Sequence, residues 1–259
     1  MKRIVTAIAL LAVAVYLIFW GPSWLFLTAA TYLGITCYFE YSGLVAGHGI
    51  QRPGIWGVLA GLLILFSPGV VLPGLSLVMI LALAAALRYA DLRDVLPHVA
   101  CVFLGALYAF APWHFAVLLR QMSVHWLLLA LASNWAGDSA AYYVGRSFGK
   151  HRLAPVVSPK KSWEGAAGSV AGSVIFGVIY MGYFMPSVRL WTVVLIAVVA
   201  NIAGQFGDLA ESAMKRGAGV KDSGNLLPGH GGMLDRVDSS LFALPVVYML
   251  AQVSAVTGL

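Results

Sequence analysis

Residues 201–239, NIAGQFGDLAESAMKRGAGVKDSGNLLPGHGGMLDRVDS, hold five of the ten acidic and four of the sixteen basic residues of a 259-residue chain. Strongly apolar segments lie on both sides, in a protein that is only 10% charged. Ionisable side chains inside a bilayer are costly unless they meet a partner, a cation or water, so such a concentration marks a working site. The stretch reads as the end of one membrane helix, a polar loop and the start of the next.

Composition outward from this stretch gives the class. The chain is 61% hydrophobic with a mean hydropathy of +0.88, which a soluble core could not hide. Aromatic residues make up 12%, including eight Trp, as suits rings at two membrane interfaces. Topology and contact with anionic lipid account for the net charge of +6, and nucleic acid is not implied. Cys37 and Cys101 lie in apolar runs without metal-ligand spacing and read as small buried hydrophobes. Met-Lys-Arg followed by Ile4 to Trp20 reads as a retained first span, being long for a signal peptide and without a small-x-small cleavage site.

A helix needs about 20 apolar residues to cross the hydrocarbon layer. Candidate spans are 3–20, 22–40, 54–67, 70–87, 97–117, 123–144, 164–185, 190–211 and 239–257, with 54–67 the shortest. The expected fold is therefore all-α, a polytopic membrane protein with about nine transmembrane helices. Residues 1–120 would form the N-terminal helices, and 121–259 a catalytic region with cytoplasmic loops 146–162 and 213–238. With the N-terminus inside, fourteen Lys and Arg are cytoplasmic and only Arg120 and Arg189 are outside, the asymmetry expected of a multi-pass protein. Gly57 with Gly61, and Gly168 with Gly172, are spaced for close helix packing.

Three polar constellations follow. Asn134, Asp138 and Tyr142 fall on one face of the sixth span, where Asp138 is read as a functional acid lining a polar cavity. Ser158-Pro159-Lys160-Lys161-Ser162-Trp163-Glu164-Gly165 enters the seventh span; Lys160 and Lys161 there suit either a phosphate or lipid headgroups. Asn201, Gln205, Asp208, Ser212 and Lys215 share one face of the eighth, with Glu211 beside them. Asp208 and Asp235 are read as carboxylates without a fixed local partner, whereas Asp222 and Asp238 have Lys221 and Arg236 nearby. The glycines around His230 allow backbone N–H groups to approach an anion. Carboxylates for Mg²⁺ and cations for phosphates are what nucleoside triphosphate chemistry requires.

The run S-x-x-K-R-x-x-x-x-K-D-x-x-x-x-x-P-G-H-G-G-x-x-D-R-x-D, Ser212 to Asp238, resembles the signature of the phosphatidate cytidylyltransferases, or CDP-diacylglycerol synthases, at thirteen specified positions. Gly207-Asp208-x-x-Glu211-Ser212, the Ser158–Gly165 run and Asp138 resemble the same family, so the likeness covers about the C-terminal half. The resemblance implies Mg²⁺-dependent conversion of CTP and phosphatidate to CDP-diacylglycerol and pyrophosphate, in phospholipid biosynthesis at the plasma (inner) membrane. On that basis Asp208 and Asp235 are expected to hold the metal. Lys215, Arg216, Lys221 and Arg236 would screen phosphate charge, with Ser212 and the backbone of His230, Gly231 and Gly232 on phosphate oxygens. Lys160 and Lys161 would receive the lipid phosphate or the triphosphate tail. Asp138, Asp222 and Asp238 would support the metal indirectly. The resemblance also implies a homodimer, and the sequence leaves open whether a monovalent cation joins Mg²⁺. A CTP-dependent polyprenol kinase, a cytidylyltransferase of archaeal ether lipids and a cation-coupled transporter are the alternatives, the last disfavoured by the missing inverted repeat.

Overall fold

The structure, a computed structural model, describes residues 12–66, 71–89, 91–226, 229 and 231–257. The beginning of the expected first span and His230 lie outside these residues. Residues 12–19 form α1. There follow α2 (Ser23–Gly47), α3 (Ile55–Phe66), α4 (Val71–Ala86), α5 (Val95–Met122), α6 (Val124–Phe148), α7 (Trp163–Phe184), α8 (Leu190–Gly217) and α9 (Leu234–Thr257). Among the described residues, Leu92–Met122, Trp163–Phe184, Leu190–Gly217 and Leu234–Ala255 are long and apolar enough to cross a bilayer. The protein is an all-α membrane protein, and the expected count of nine goes further than these four. With 12 and 16 residues, α3 and α4 rise only about 18 and 24 Å, short of a hydrocarbon core of about 30 Å.

The chain divides into two compact units, one of residues 1–117 with 214–236, the other of 118–213 with 237–259. In the first, Gly57 and Gly61 open a groove on α3: a Cβ at Gly57 would strike Tyr38 of α2, and one at Gly61 would strike Phe110 of α5. Both rings are fully buried, and the Tyr38 hydroxyl donates to Gly54 O at 3.1 Å, so the phenol enters an apolar core without an orphaned polar end. The following loop is tied down by Ser42 Oγ, which donates to Pro53 O.

In the second unit α6 packs along α7, where Gly172 lies against Ala136 and Ala140, and Gly168 against Val144. Both glycine pairs are thus packing positions, as their spacing predicts. Ser123 caps α6 by accepting from His125 N, and Ser162 caps α7 by accepting from Gly165 N, each satisfying an amide that the first helical turn leaves without a partner.

The polar segment between α6 and α7 is not a simple loop. Arg152–Ala154 (β1) and Ser158–Ser162 (β2) form an antiparallel hairpin, paired Arg152 to Ser162 and Ala154 to Ser158. Between those pairs β2 carries Pro159, Lys160 and Lys161 opposite Leu153 alone, so the strand bulges. Proline, which cannot donate to a ladder, belongs at such a place.

Candidate active site

In the second unit a cavity of about 310 Å³ is lined by α6, the hairpin, the start of α7, α8 and Ser239. Asp138 and Tyr142 reach it from α6, one turn apart, and Gln205 and Asp208 from α8. Lys160 and Lys161 both line it, although neighbouring residues of a regular strand point to opposite faces. The bulge in β2 resolves this, since extra residues re-aim side chains.

The floor of the cavity is a hydrogen-bonded ladder. Gln205 Nε2 donates to Asn201 Oδ1 at 2.8 Å and to Ala166 O at 3.2 Å, and Asn201 Nδ2 donates to Ser169 Oγ at 3.1 Å. The side-chain amides of the polar stripe on α8 therefore fasten that helix to α7. One turn beyond Gln205, Asp208 is half-buried and reaches the hairpin: Lys161 Nζ lies 2.6 Å from its Oδ2, and Ser212 Oγ donates to its Oδ1 at 3.3 Å. Asp208 and Lys161 are also the charged neighbours of Asp138. The hairpin is held at its base by Glu164, which accepts from His151 Nδ1 at 2.6 Å and from the amides of Lys150 and His151.

The first unit contains a second polar cluster, built around Asp235 in the first turn of α9. Asp235 Oδ1 accepts from Lys215 Nζ at 2.5 Å. Asp235 Oδ2 accepts from Ser223 N at 2.9 Å and Gly232 N at 2.8 Å, with Ser223 Oγ 3.0 Å away. Gly231 has φ +78°, and it lets the chain double back so that Gly232 N faces the carboxylate. A carboxylate at the start of α9 also suits the positive end of the helix dipole.

The partners of Asp208 and Asp235 are not local: each holds a lysine at ion-pair distance, because the chain returns Lys161 and Lys215 from distant positions. The amide of Gly232, expected to face a phosphate, is instead engaged by the Asp235 carboxylate. Of the other expected residues, Arg216 donates to Val220 O at the end of α8, Asp238 accepts from Ser239 N, and Lys221, Asp222 and Arg236 are exposed.

Sequence reasoning missed Glu40, on α2. Its carboxylate accepts from Met233 N at 2.8 Å and Leu234 N at 2.7 Å and lies 3.0 Å from Ser223 Oγ. The available signal was its isolation: Glu40 is the only acidic residue before Asp91, at the end of an apolar run. Ser223, His151 and the anchoring role of Glu164 were missed as well, having no periodicity to mark them.

The donor set fits a magnesium ion. Every acidic side chain at the cavity offers hard oxygen, and Mg²⁺ takes one or two carboxylates with substrate phosphates completing its shell. Among the described residues there is no cluster of three or more His, Cys, Asp or Glu.

Residues 1–254 match the model of the cytidylyltransferase family. A phosphatidate cytidylyltransferase of Staphylococcus haemolyticus is 36% identical over 214 residues, covering 78% of this chain and 80% of that protein. Enzymes of the same name from Staphylococcus saprophyticus and Bacillus subtilis are each 40% identical, over 162 residues (62% of this chain, 60% of that protein) and 152 residues (58% and 56%). With a match running through nearly all of its sequence, and with helix-borne aspartates and hairpin-borne lysines around one cavity, the chain belongs to the cytidylyltransferase family.

Proposed function

We propose that this protein is an integral membrane phosphatidate cytidylyltransferase, converting CTP and phosphatidate to CDP-diacylglycerol and pyrophosphate in phospholipid biosynthesis. The observation that carries the reading is the cavity of the second unit, where Lys160 and Lys161 meet Asp138 and Asp208. Cations for phosphates and carboxylates for a divalent ion share one small volume there.

A phosphate oxygen of phosphatidate attacks the α-phosphorus of CTP, the bond from that phosphorus to the bridging oxygen breaks, and pyrophosphate leaves with its electron pair. The nucleophile is already anionic, so no strong base is needed; the difficulty is bringing two polyanions together. Lys160, exposed at the bulge, meets incoming phosphate. Lys161 would exchange Asp208 for a phosphate oxygen as the site fills. Asp208 and Asp235 would hold Mg²⁺, and the ion would supply charge neutralisation at the reacting phosphates. Supporting this are their oxygen chemistry and their places in the family-like runs, Asp208 in Gly207–Ser212 and Asp235 in Ser212–Asp238. Asp138, a charged neighbour of Asp208, would support the metal indirectly.

The proposal includes a plasma-membrane enzyme with its N-terminus and both polar segments in the cytoplasm, where CTP is, supported by the fourteen-to-two charge split. It includes a homodimer too, on family resemblance alone, since Gly57, Gly61, Gly168 and Gly172 are filled by side chains of the same chain.

Purified protein with phosphatidate vesicles and CTP labelled on the α- or the γ-phosphate tests the reading. The α-label is expected in lipid and the γ-label in pyrophosphate. Transfer of the γ-label to lipid would mean a kinase and overturn it.

A further inference from the structure

We propose that Glu40 is a positioning residue for the reaction, holding the signature loop so that Asp235 is presented in one orientation. The inference rests on the reading above only for its link to turnover; the placement itself comes from the first unit.

Glu40 is the capping group of α9. A helix N-terminus leaves its first amides without partners, and here those of Met233 and Leu234 are taken by a carboxylate 193 and 194 residues away in sequence. Such a cap fixes the entry of the chain into the helix that carries Asp235. The same carboxylate reaches the other side of the loop through Ser223. Its hydroxyl lies 3.0 Å from both Glu40 Oε2 and Asp235 Oδ2, and has one hydrogen for the two acceptors. Its amide donates to Asp235, so the serine is a link whose position both acids define.

Two glycines of the loop make room for this arrangement. A Cβ on Gly224 would meet the Glu40 carboxylate, and one on Gly232 would meet both Glu40 and Ser223 Oγ. The last glycine of Pro228-Gly229-His230-Gly231-Gly232 is thus required by the close approach of an acid from α2. The hydrogen bonds of Glu40 go to Met233, Leu234 and Ser223, none of them expected to meet substrate. It acts on Asp235 through one amide-bonded turn and one hydroxyl.

The test compares the parent protein with Glu40→Gln and Glu40→Ala by two measurements, amide hydrogen exchange without substrate and steady-state turnover with CTP and phosphatidate. In Glu40→Ala, amides 231–236 should exchange about 10- to 100-fold faster, the range for losing a hydrogen bond to a charged acceptor, while α5 and α7 keep the parent rate. Glu40→Gln, which keeps one acceptor oxygen, should fall between. Turnover should drop about 10- to 100-fold in Glu40→Ala with KM for CTP within about threefold of the parent, as when transition-state geometry is lost and ground-state binding kept. Parent-like exchange at 231–236 in both variants would overturn the inference. So would faster exchange throughout the chain in Glu40→Gln, which would make Glu40 a general stabiliser. If the parent itself makes no CDP-lipid, the functional reading fails, and the exchange data still decide whether Glu40 holds the loop.

Discussion

Replacing Asp235 by Asn should cost the protein both stability and turnover, and the two losses should separate when Lys215 is also changed. The side chains of Lys215 and Asp235 are only 11% and 6% exposed, so the pair is nearly dry. Removing one partner leaves an ammonium with no compensating charge at that contact, a change that costs about 3–5 kcal/mol in buried pairs. At about 2–4 °C per kcal/mol for a chain of this size, melting should fall by about 6–20 °C. Adding Lys215→Met neutralises both sides. The amide oxygen introduced by Asp235→Asn then still accepts from the donors on Ser223 and Gly232, and more than half of the lost melting temperature should return. Turnover should not return, remaining about 100-fold or more below the parent if the carboxylate serves the reaction. Tryptophan fluorescence melts in detergent, with radiolabelled CDP-lipid formation alongside, measure both. Asp235→Asn melting within about 2 °C of the parent would refute the stabilising role, and a double variant less stable than the single would refute the pairing.

Further outcomes follow from other contacts. Glu164→Ala and His151→Ala release the base of the hairpin; turnover should fall about 10- to 100-fold with melting unchanged, because the lysines lose their aim, and unchanged turnover would detach the hairpin from the reaction. Gly232→Ala places a methyl group against Ser223 and Glu40 and should lower stability by about 1–3 kcal/mol in a melt, whereas a neutral result would mean that the loop relaxes freely. Lys161→Met should impair turnover more than Lys160→Met, since Lys161 also neutralises Asp208, and the reverse order in kcat would exchange their roles. EDTA should stop CDP-lipid formation and added Mg²⁺ restore it; persistence of activity in EDTA would remove the divalent ion from the proposal.

Much of this protein was legible before folding was considered. The apolar runs that became α5, α7, α8 and α9 announce themselves by composition, because a backbone in hydrocarbon must satisfy its own hydrogen bonds and does so as a helix. Asp138, Lys160, Lys161 and Asp208 were likewise visible as polar groups at helical or motif spacing, and the structure gathers all four at one cavity. The hairpin was not legible. Its strands are three and five residues long, and an irregular register rather than an alternating pattern gives them their use.

The sequence by itself determined the membrane class, the positions of the charged groups and the family, since these depend on local hydropathy and on fixed spacing within one segment. The tertiary structure decided which charges meet. It gave Asp208 to Lys161 and Asp235 to Lys215, and it brought Glu40 to the first turn of α9. Capping residues are normally found within a few positions of the helix that they serve, and this one comes from 194 residues away. Only the packing of the first unit, with glycines leaving space at its loop, brings that carboxylate within reach of two unpaired amides.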